Sequence, residues 1–287
     1  MSVRSTYDAA GFGAAYEKVM AGWPADREAV TVATPFGATR VNVCGPHDGP
    51  PLLLLPGGDG GTSASWSAQA AALARTHRVH AVDLIGRPGH SVPATDRPLR
   101  TVADLTSWLD ALLDGIGADT VDLGGHSYGG WIALHYALHA PTRVRRLFLL
   151  DPTGCFAGFK AAYLTRALPM LLRPSPARVR AFLEWETGGV PLDPDWLRLQ
   201  EAAAGYPSVK PVTGPRPARE ALRTLDMPVL LLLAGNSRTH DARRVATRAA
   251  GMLPRAETDV LPGASHHSLP HTVPPGLNRR LADFLGR

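Results

Sequence analysis

The chain has 287 residues, 45% of them apolar and 19% charged, so it can bury a large core and is neither fibrous nor disordered. Its net charge of +5 comes from dispersed basic residues, and no apolar run approaches the roughly 20 residues of a membrane span, so neither nucleic acid nor a membrane is an expected partner. With two cysteines and no apolar signal sequence near the start, we expect a cytoplasmic protein.

Strands and helices alternate along most of the chain. The N-terminal segment, residues 1–27, has a mixed pattern, and two alternating segments then predict strands at 28–34 and 38–44. Six further strands are predicted at 52–55, 78–83, 120–123, 144–150, 229–233 and 257–261. Helices are predicted at 65–76, 101–115, 128–139, 241–252 and 277–285. This alternation predicts an α/β fold with a mostly parallel eight-stranded sheet and helices on both faces.

About 75 residues between Asp151 and Met227 interrupt the alternation. They contain no strand pattern, and they carry many prolines and three helical segments, at 157–172, 177–186 and 195–204. Ligands bind open α/β sheets at the C-terminal ends of the strands, and an insertion at this point of the chain lies over those ends. We therefore predict a helical lid, residues 152–225, on a core formed by residues 28–151 and 226–287.

The strongest chemical signal is the segment 123–130, which reads Leu-Gly-Gly-His-Ser-Tyr-Gly-Gly. A predicted strand ends here and a predicted helix begins five residues later. Gly125 and Gly129 flank Ser127 at the G-x-S-x-G spacing, which is typical of a strained turn that exposes a serine hydroxyl above the sheet. The dinucleotide spacing G-x-G-x-x-G and the Walker lysine are both absent from this turn. The pattern predicts Ser127 as a nucleophile.

With this motif, the sequence resembles the α/β-hydrolase family over nearly its whole length. Its motifs are most similar to those of bacterial carboxylesterase-like members of the serine hydrolase branch. The resemblance extends to residues 52–58, Leu-Leu-Leu-Leu-Pro-Gly-Gly, and to residues 82–91, Val-Asp-Leu-Ile-Gly-Arg-Pro-Gly-His-Ser. It implies that the backbone N–H groups of Gly58 and Tyr128 form the oxyanion hole. The chain has Pro56-Gly57 where the family usually has His-Gly, a departure that affects support of the loop and not the donor.

The family places its catalytic histidine after the last strand, where this chain reads Gly-Ala-Ser-His-His at 263–267. Alignment with the family's Gly-Ala-Gly-His points to His266, whereas counting back from the C-terminal helix points to His267. We prefer His266, because the strand constrains the near side of the turn more tightly.

The catalytic acid departs from the common family pattern. After the predicted strand 229–233, residues 234–238 read Ala-Gly-Asn-Ser-Arg, with no carboxylate at the usual position. Asp151 ends the preceding strand, where some family members carry the acid instead, and it is our preferred candidate. Asp241 is the alternative, although its ordinary role is to cap a helix. Either choice keeps the order serine, acid, histidine.

The resemblance implies a metal-free serine hydrolase, without a cofactor, that cleaves ester-type bonds of a small molecule through an acyl-enzyme. Aromatic and aliphatic residues in the insertion favour a neutral, rather hydrophobic ester, lactone or thioester. Four acidic residues there are expected to be solvated surface charges: Glu184, Glu186, Asp193 and Asp195. Two alternatives stay open, a non-hydrolytic biosynthetic enzyme that uses the same site (a cyclase, a lyase or a C–C bond-cleaving enzyme) and a non-catalytic small-molecule receptor. The oligomeric state is not predicted.

Overall fold

A computed structural model of the chain describes residues 7–58, 60–271, 274 and 276–287. The strands are β1 (Glu28–Thr34), β2 (Gly37–Cys44), β3 (Pro51–Leu55), β4 (Arg78–Val82), β5 (Val92–Pro93), β6 (Val121–His126), β7 (Val144–Leu150), β8 (Val229–Ala234) and β9 (Ala256–Leu261). The helices are α1 (Ala9–Met20), α2 (Ser67–Leu73), α3 (Val102–Gly115), α4 (Tyr128–His139), α5 (Ala161–Leu172), α6 (Pro176–Glu186), α7 (Pro194–Ala203), α8 (Arg219–Leu222), α9 (Ala242–Ala250) and α10 (Leu277–Leu285).

Eight strands form one twisted sheet in the order β1-β2-β4-β3-β6-β7-β8-β9. The pairs β1–β2 and β2–β4 are antiparallel, and every pair from β4 to β9 along this order is parallel. The predicted mostly parallel eight-stranded sheet is confirmed. The two-residue β5 is an additional strand that pairs with the start of β2. It contains a proline and is too short to show alternation, so sequence periodicity did not indicate it.

Both faces of the sheet are covered, as predicted. Helices α3, α4 and α9 pack on one face, and α1, α2 and α10 pack on the other. This two-sided burial explains why β3 and β8 are almost purely apolar, since a strand of a parallel sheet has no solvent-facing side. Among the described residues, no helix combines the length and the apolar content needed to cross a membrane.

Helix α1 lies in the N-terminal segment, for which the sequence analysis predicted no element. Asp8 caps the helix by accepting a hydrogen bond from the Gly11 N–H at 2.9 Å, and Phe12, Tyr16 and Met20 recur at four-residue steps on its buried face. The glycines within the helix dilute this pattern, which is why the sequence did not reveal it. Residues 1–6 of the segment lie outside the described residues.

Four helices, α5 to α8, lie between β7 and β8. Helix α5 packs on α6 and α6 packs on α7, around a small apolar cluster of their own: Tyr163, Ala167, Val179, Phe182, Leu183 and Ala204. Helix α7 also packs on α1, and Trp196 and Leu199 join the main core there. The first helix begins at residue 161 and not at 157 as predicted, because the Lys160 N–H is bonded to the Thr239 carbonyl at 2.7 Å.

Candidate active site

The turn between β6 and α4 holds Ser127 in a strained conformation. The φ and ψ of Ser127 are 54° and −117°, a backbone region that side chains other than glycine rarely occupy and that costs about 1–3 kcal/mol. A Cβ atom on Gly125 would collide with the backbone of Gly129, so the turn closes only with glycine at this position. The strained turn places the serine at the start of α4, above the C-terminal end of β6.

His266 lies between Ser127 and Asp151. Its Nδ1 is 2.6 Å from Asp151 Oδ2, and its Nε2 is 2.8 Å from Ser127 Oγ. Because an ionised carboxylate can only accept, Nδ1–H is the donor, and Nε2 of the neutral ring is left to accept the serine hydroxyl proton. The imidazole side chain is 2% exposed. The structure thus brings together the three residues that the sequence analysis preferred.

The two alternative candidates lie elsewhere. The Nε2 atom of His267 is 3.2 Å from the Tyr163 hydroxyl, and its ring packs edge-on against Phe182. Asp241 is exposed and caps α9 by accepting a hydrogen bond from the Arg244 N–H at 3.0 Å. Asp241, the alternative candidate for the acid, therefore has the ordinary role of a helix cap.

Asp151 is fully buried and has a positive φ of 41° at the end of β7. Its Oδ1 accepts from the Ala234 N–H at 3.1 Å and from His240 Nε2 at 2.9 Å, and its Oδ2 accepts from the Ser237 hydroxyl at 2.9 Å and from His266. Burial alone would raise the pKa of Asp151, but the hydrogen bonds and charges of His240 and His266 outweigh burial and lower that pKa. The carboxylate is therefore ionised at neutral pH.

His240 was missed by the sequence analysis. It is buried, and it shares the Asp151 carboxylate with His266. The segment after β8, which lacks the usual family acid, instead supplies two donors to the acid at the end of β7, from Ser237 and His240. No spacing rule marks this role, because it depends on the adjacency of β7 and β8 in the sheet.

The loop after β3 approaches the start of α4. A Cβ atom on Gly58 would lie 3.3 Å from Tyr128 Cβ, and one on Gly57 would lie 3.4 Å from Ser127 Cβ, so the two backbones are in close contact. The Tyr128 N–H is in the first turn of α4, where amide groups have no partner within the helix. Arg87 Nε donates to the Gly58 carbonyl at 3.0 Å and braces the loop. Both predicted oxyanion donors thus lie beside the serine.

Residues 52–280 match the Alpha/beta hydrolase family. The chain belongs to this family. Carboxylesterase YbfK of Bacillus subtilis (strain 168) is 30% identical over 285 residues, which cover 96% of this chain and 93% of the relative. The crystal structure of that carboxylesterase superposes with a TM-score of 0.88, covering 96% of both chains. The crystal structure of naproxen esterase from Bacillus subtilis also gives a TM-score of 0.88, at 27% identity and 99% coverage of both chains.

Glu186 of this hydrolase is not the solvated surface charge that the sequence analysis expected. The residue is 1% exposed and lies at the end of α6. Its carboxylate accepts three hydrogen bonds, from Ser265 Oγ at 2.8 Å and from the backbone N–H groups of His266 and His267, both at 3.1 Å. Burial would raise the pKa of Glu186, but the charges of His267 and His266 and these hydrogen bonds lower that pKa.

The sequence contained a signal for Glu186 that the analysis did not use. The residue lies seven positions after Val179 and three after Leu183, so it shares the apolar face of α6 with them. A carboxylate on the buried stripe of a helix requires donors from a neighbouring element, because an unpaired buried charge is costly.

Two cavities meet at His267. A small one beside Ser127 is lined by Gly57, Gly58 and Gly61 of the β3 loop, by His126 and by His266. A larger one of about 460 Å³ lies between the β4 side of the core and α5–α7, and does not reach the serine. Its described lining contains two cationic side chains and no carboxylate, and is otherwise mostly apolar: Met170, Leu171, Val179, Phe182, Leu183 and Val209, with Arg87 and Lys210.

His126 forms a wall of the small cavity. Its Nε2–H donates to the His266 carbonyl at 2.9 Å, and burial together with the charges of His266 and His267 holds the pKa of His126 well below its usual value. The ring is therefore neutral, and its bond fixes the main chain of the histidine loop. No group of three or more His, Cys, Asp or Glu residues in the described part of the chain is arranged to hold a metal ion.

Proposed function

We propose that this α/β-hydrolase is a serine esterase in which Ser127 is the nucleophile, His266 the general base and Asp151 the acid that orients the base. The single observation that carries the proposal is the continuous hydrogen-bonded chain from Ser127 Oγ through both ring nitrogens of His266 to Asp151. The strained backbone of Ser127 supports it, since strain of this kind persists where a side chain must be held for chemistry. The protein is a hydrolase of ester bonds, since it matches carboxylesterases over nearly their whole length.

The first half-reaction transfers the acyl group to the enzyme. The Ser127 hydroxyl gives its proton to His266 Nε2 while Oγ attacks the ester carbonyl carbon. Asp151 holds the imidazole in the productive tautomer and stabilises the imidazolium that forms. The tetrahedral intermediate then collapses, and the leaving alcohol takes the proton from His266 Nε2.

Water completes the cycle. A water molecule gives a proton to His266 Nε2 and attacks the acyl carbon, and Ser127 Oγ leaves and recovers the proton. In both halves, the developing oxyanion accepts hydrogen bonds from the Gly58 and Tyr128 N–H groups. These are backbone dipoles that need no reorganisation during the reaction, and each such donor typically contributes about 10²–10³ in rate.

The insertion, residues 152–225, acts as a lid in this proposal and supplies the substrate pocket. Helices α5 and α6 contribute apolar residues to the 460 Å³ cavity, a volume within the range of small-molecule sites. His267 lines both this cavity and the one beside Ser127, so a substrate whose ester lies at the serine extends past His267 into the apolar space. We therefore propose a neutral, rather hydrophobic ester as the substrate.

Labelling with a fluorophosphonate probe tests the nucleophile. We expect one adduct per chain in the wild type and in Ser107→Ala, which alters an exposed serine on α3, and none in Ser127→Ala. Ser127→Ala should also lower kcat for p-nitrophenyl butyrate by about 10⁴–10⁶. An adduct that persists in Ser127→Ala contradicts the proposal. Turnover of the enzyme's ester substrate in H₂¹⁸O must label the product acid, and an unlabelled product would favour the non-hydrolytic alternative.

A further inference from the structure

Helix α6 contacts the histidine loop through the Phe182 ring and through one buried charge. The Glu186 carboxylate lies beneath residues 265–267 and accepts all three hydrogen bonds described above. Its Oε1 accepts from the His266 N–H, and its Oε2 accepts from Ser265 Oγ and the His267 N–H. The main chain that carries the base is therefore held by the insertion as well as by the core.

We propose that Glu186 is a positioning residue for the reaction, which holds the His266 main chain in register with Ser127 and Asp151 and places a negative charge beside the imidazolium. This inference rests on the proposed function, since it assigns a partner to the proposed base. It goes beyond that function in assigning the helical insertion a direct role in the chemistry, in addition to shaping the pocket.

The negative charge of Glu186 affects the protonation of the His266 ring. An anion near the histidine loop stabilises the protonated imidazole that forms at each half-reaction. Several titratable groups surround the His266 ring from different elements: Asp151 from β7, His126 from β6, Tyr163 from α5, the adjacent His267, and Glu186 from α6. Glu186 and Asp151 are the two carboxylates of this set, and Glu186 belongs to the insertion whereas Asp151 belongs to the core.

Glutamine cannot replace Glu186 in this position. An amide has one acceptor oxygen and one donor nitrogen, whereas both carboxylate oxygens of Glu186 face N–H or O–H donors. In either orientation, the amide NH₂ of Glu186→Gln therefore meets a backbone N–H of His266 or His267. The substitution removes the charge and also displaces the loop.

Steady-state kinetics of Glu186→Gln against pH test the proposal, with Glu184→Gln as the matched control on an exposed position of the same helix. We expect kcat for p-nitrophenyl butyrate to fall about 10- to 100-fold in Glu186→Gln, because small displacements of a catalytic group have large effects on rate. KM should change less than about 3-fold. The acid limb of kcat/KM should move about half a pH unit lower, since the imidazolium loses a stabilising charge.

Two further variants separate the charge from the hydrogen bonds. Ser265→Ala removes one of the three hydrogen bonds to Glu186, and a longer one from the Ser268 N–H at 3.3 Å, but keeps the charge. We therefore expect a kcat about 2- to 5-fold lower with the acid limb unmoved. Glu186→Asp keeps the charge but shortens the side chain by one methylene, so kcat should fall while the acid limb stays nearer the wild-type position. If Glu186→Gln does not fold, as judged by circular dichroism, these two variants provide the test.

A kcat within about 2-fold of wild type in folded Glu186→Gln, together with an unmoved acid limb, overturns the inference. In the absence of folded Glu186→Gln, wild-type kcat in both Ser265→Ala and Glu186→Asp overturns it. The proposed function fails separately, through Ser127→Ala. An inactive Ser127→Ala beside a fully active Glu186→Gln refutes the role of Glu186 alone, whereas an active Ser127→Ala refutes the serine esterase itself.

Discussion

At the scale of single residues, the acid is the most heavily supported group of the proposed triad. Asp151 has four hydrogen-bond donors, from Ala234, Ser237, His240 and His266, so both carboxylate oxygens are saturated. A carboxylate held in this way cannot rotate, and it keeps one oxygen aligned with Nδ1 of the base. The proposed acid thus lies at the end of β7, and residues after β8 supply two of its four donors.

Replacement of the acid tests this arrangement. In Asp151→Asn, the amide can turn its NH₂ toward His266 Nδ1 and select the tautomer whose Nε2 carries the proton, so the base cannot accept from serine. We expect kcat to fall about 10⁴-fold. Asp241→Asn should stay within about 2-fold of wild type, because that carboxylate only caps α9. Measurement of p-nitrophenyl ester hydrolysis by both variants decides between the two candidate acids. A larger loss of kcat in Asp241→Asn than in Asp151→Asn would make Asp241 the acid.

The sequence indicated residues whose positions depend on local geometry or on a family motif. The turn around Ser127 is recognisable because only glycine fits at Gly125, and Asp151 was preferred because some members of the family carry the acid at the end of this strand. Glu186 and His240 were missed for a different reason. Long-range packing brings their partners to them. The apolar stripe of α6 indicates that Glu186 is buried but not which groups it bonds, and His240 looks like an ordinary polar residue in the sequence.

At the scale of elements, the helices and strands with the clearest periodicity of apolar residues were the ones predicted most accurately. Helix α3 has a complete apolar stripe and a capping box between Thr101 and Asp104, and it was predicted to the residue at its C-terminal end. The four-residue α8 and the two-residue β5 were not predicted, because such short segments carry too few residues to show a period. Their positions are set by contacts with neighbouring elements.

Helix α6 supplies a prediction about stability and pH. The pKa of Glu186 is lower in the folded protein than its ordinary value of 4.5, so its carboxylate stabilises the fold fully above that pH and loses this contribution as the pH falls through the folded pKa. At pH 7, Glu186→Gln should be less stable than wild type by about 1–3 kcal/mol, the cost of buried groups left without partners. Below about pH 4.5, we expect the difference in stability between the wild type and Glu186→Gln to narrow, because the wild-type carboxylate loses its contribution.

Thermal unfolding followed by circular dichroism at pH 7, 5, 4 and 3.5 checks this expectation. The Glu184→Gln variant serves as a control, because the exposed residue on the same helix has no buried partners to lose. A Glu186→Gln difference that widens between pH 4.5 and 3.5 would contradict the assignment of an ionised, hydrogen-bonded carboxylate.

At the scale of the whole molecule, neighbouring parallel strands deliver the site. Strands β3, β6, β7, β8 and β9 are adjacent in that order. The segments at their C-terminal ends supply the proposed oxyanion loop, the proposed nucleophile and acid, two donors to that acid, and the histidine loop. The alternation of elements predicted that these strands are parallel, but not their order in the sheet. The shape of the pocket could not be predicted. It depends on how α5, α6 and α7 pack on each other and how α7 packs on α1, and no sequence pattern indicates that packing.

The larger cavity yields a prediction about substrate length. Each methylene of an acyl chain that leaves water for an apolar pocket gains about 0.8 kcal/mol, or roughly 4-fold in kcat/KM. We therefore expect kcat/KM for p-nitrophenyl esters to rise from acetate to hexanoate in the wild type. Ala203 of α7 lines this cavity, and Ala203→Phe should occupy the space into which the longer chains extend. The variant should keep acetate hydrolysis within about 3-fold while losing at least about 10-fold on hexanoate.

Ala162→Phe is the matched control, since Ala162 is exposed on α5 and lines neither cavity. It should leave the dependence on chain length unchanged. If Ala203→Phe also keeps the wild-type dependence, the acyl chain does not enter the 460 Å³ cavity. The insertion would then act on the reaction through the histidine loop alone, and the pocket for the hydrophobic group would have to be sought on the side of the serine away from His267.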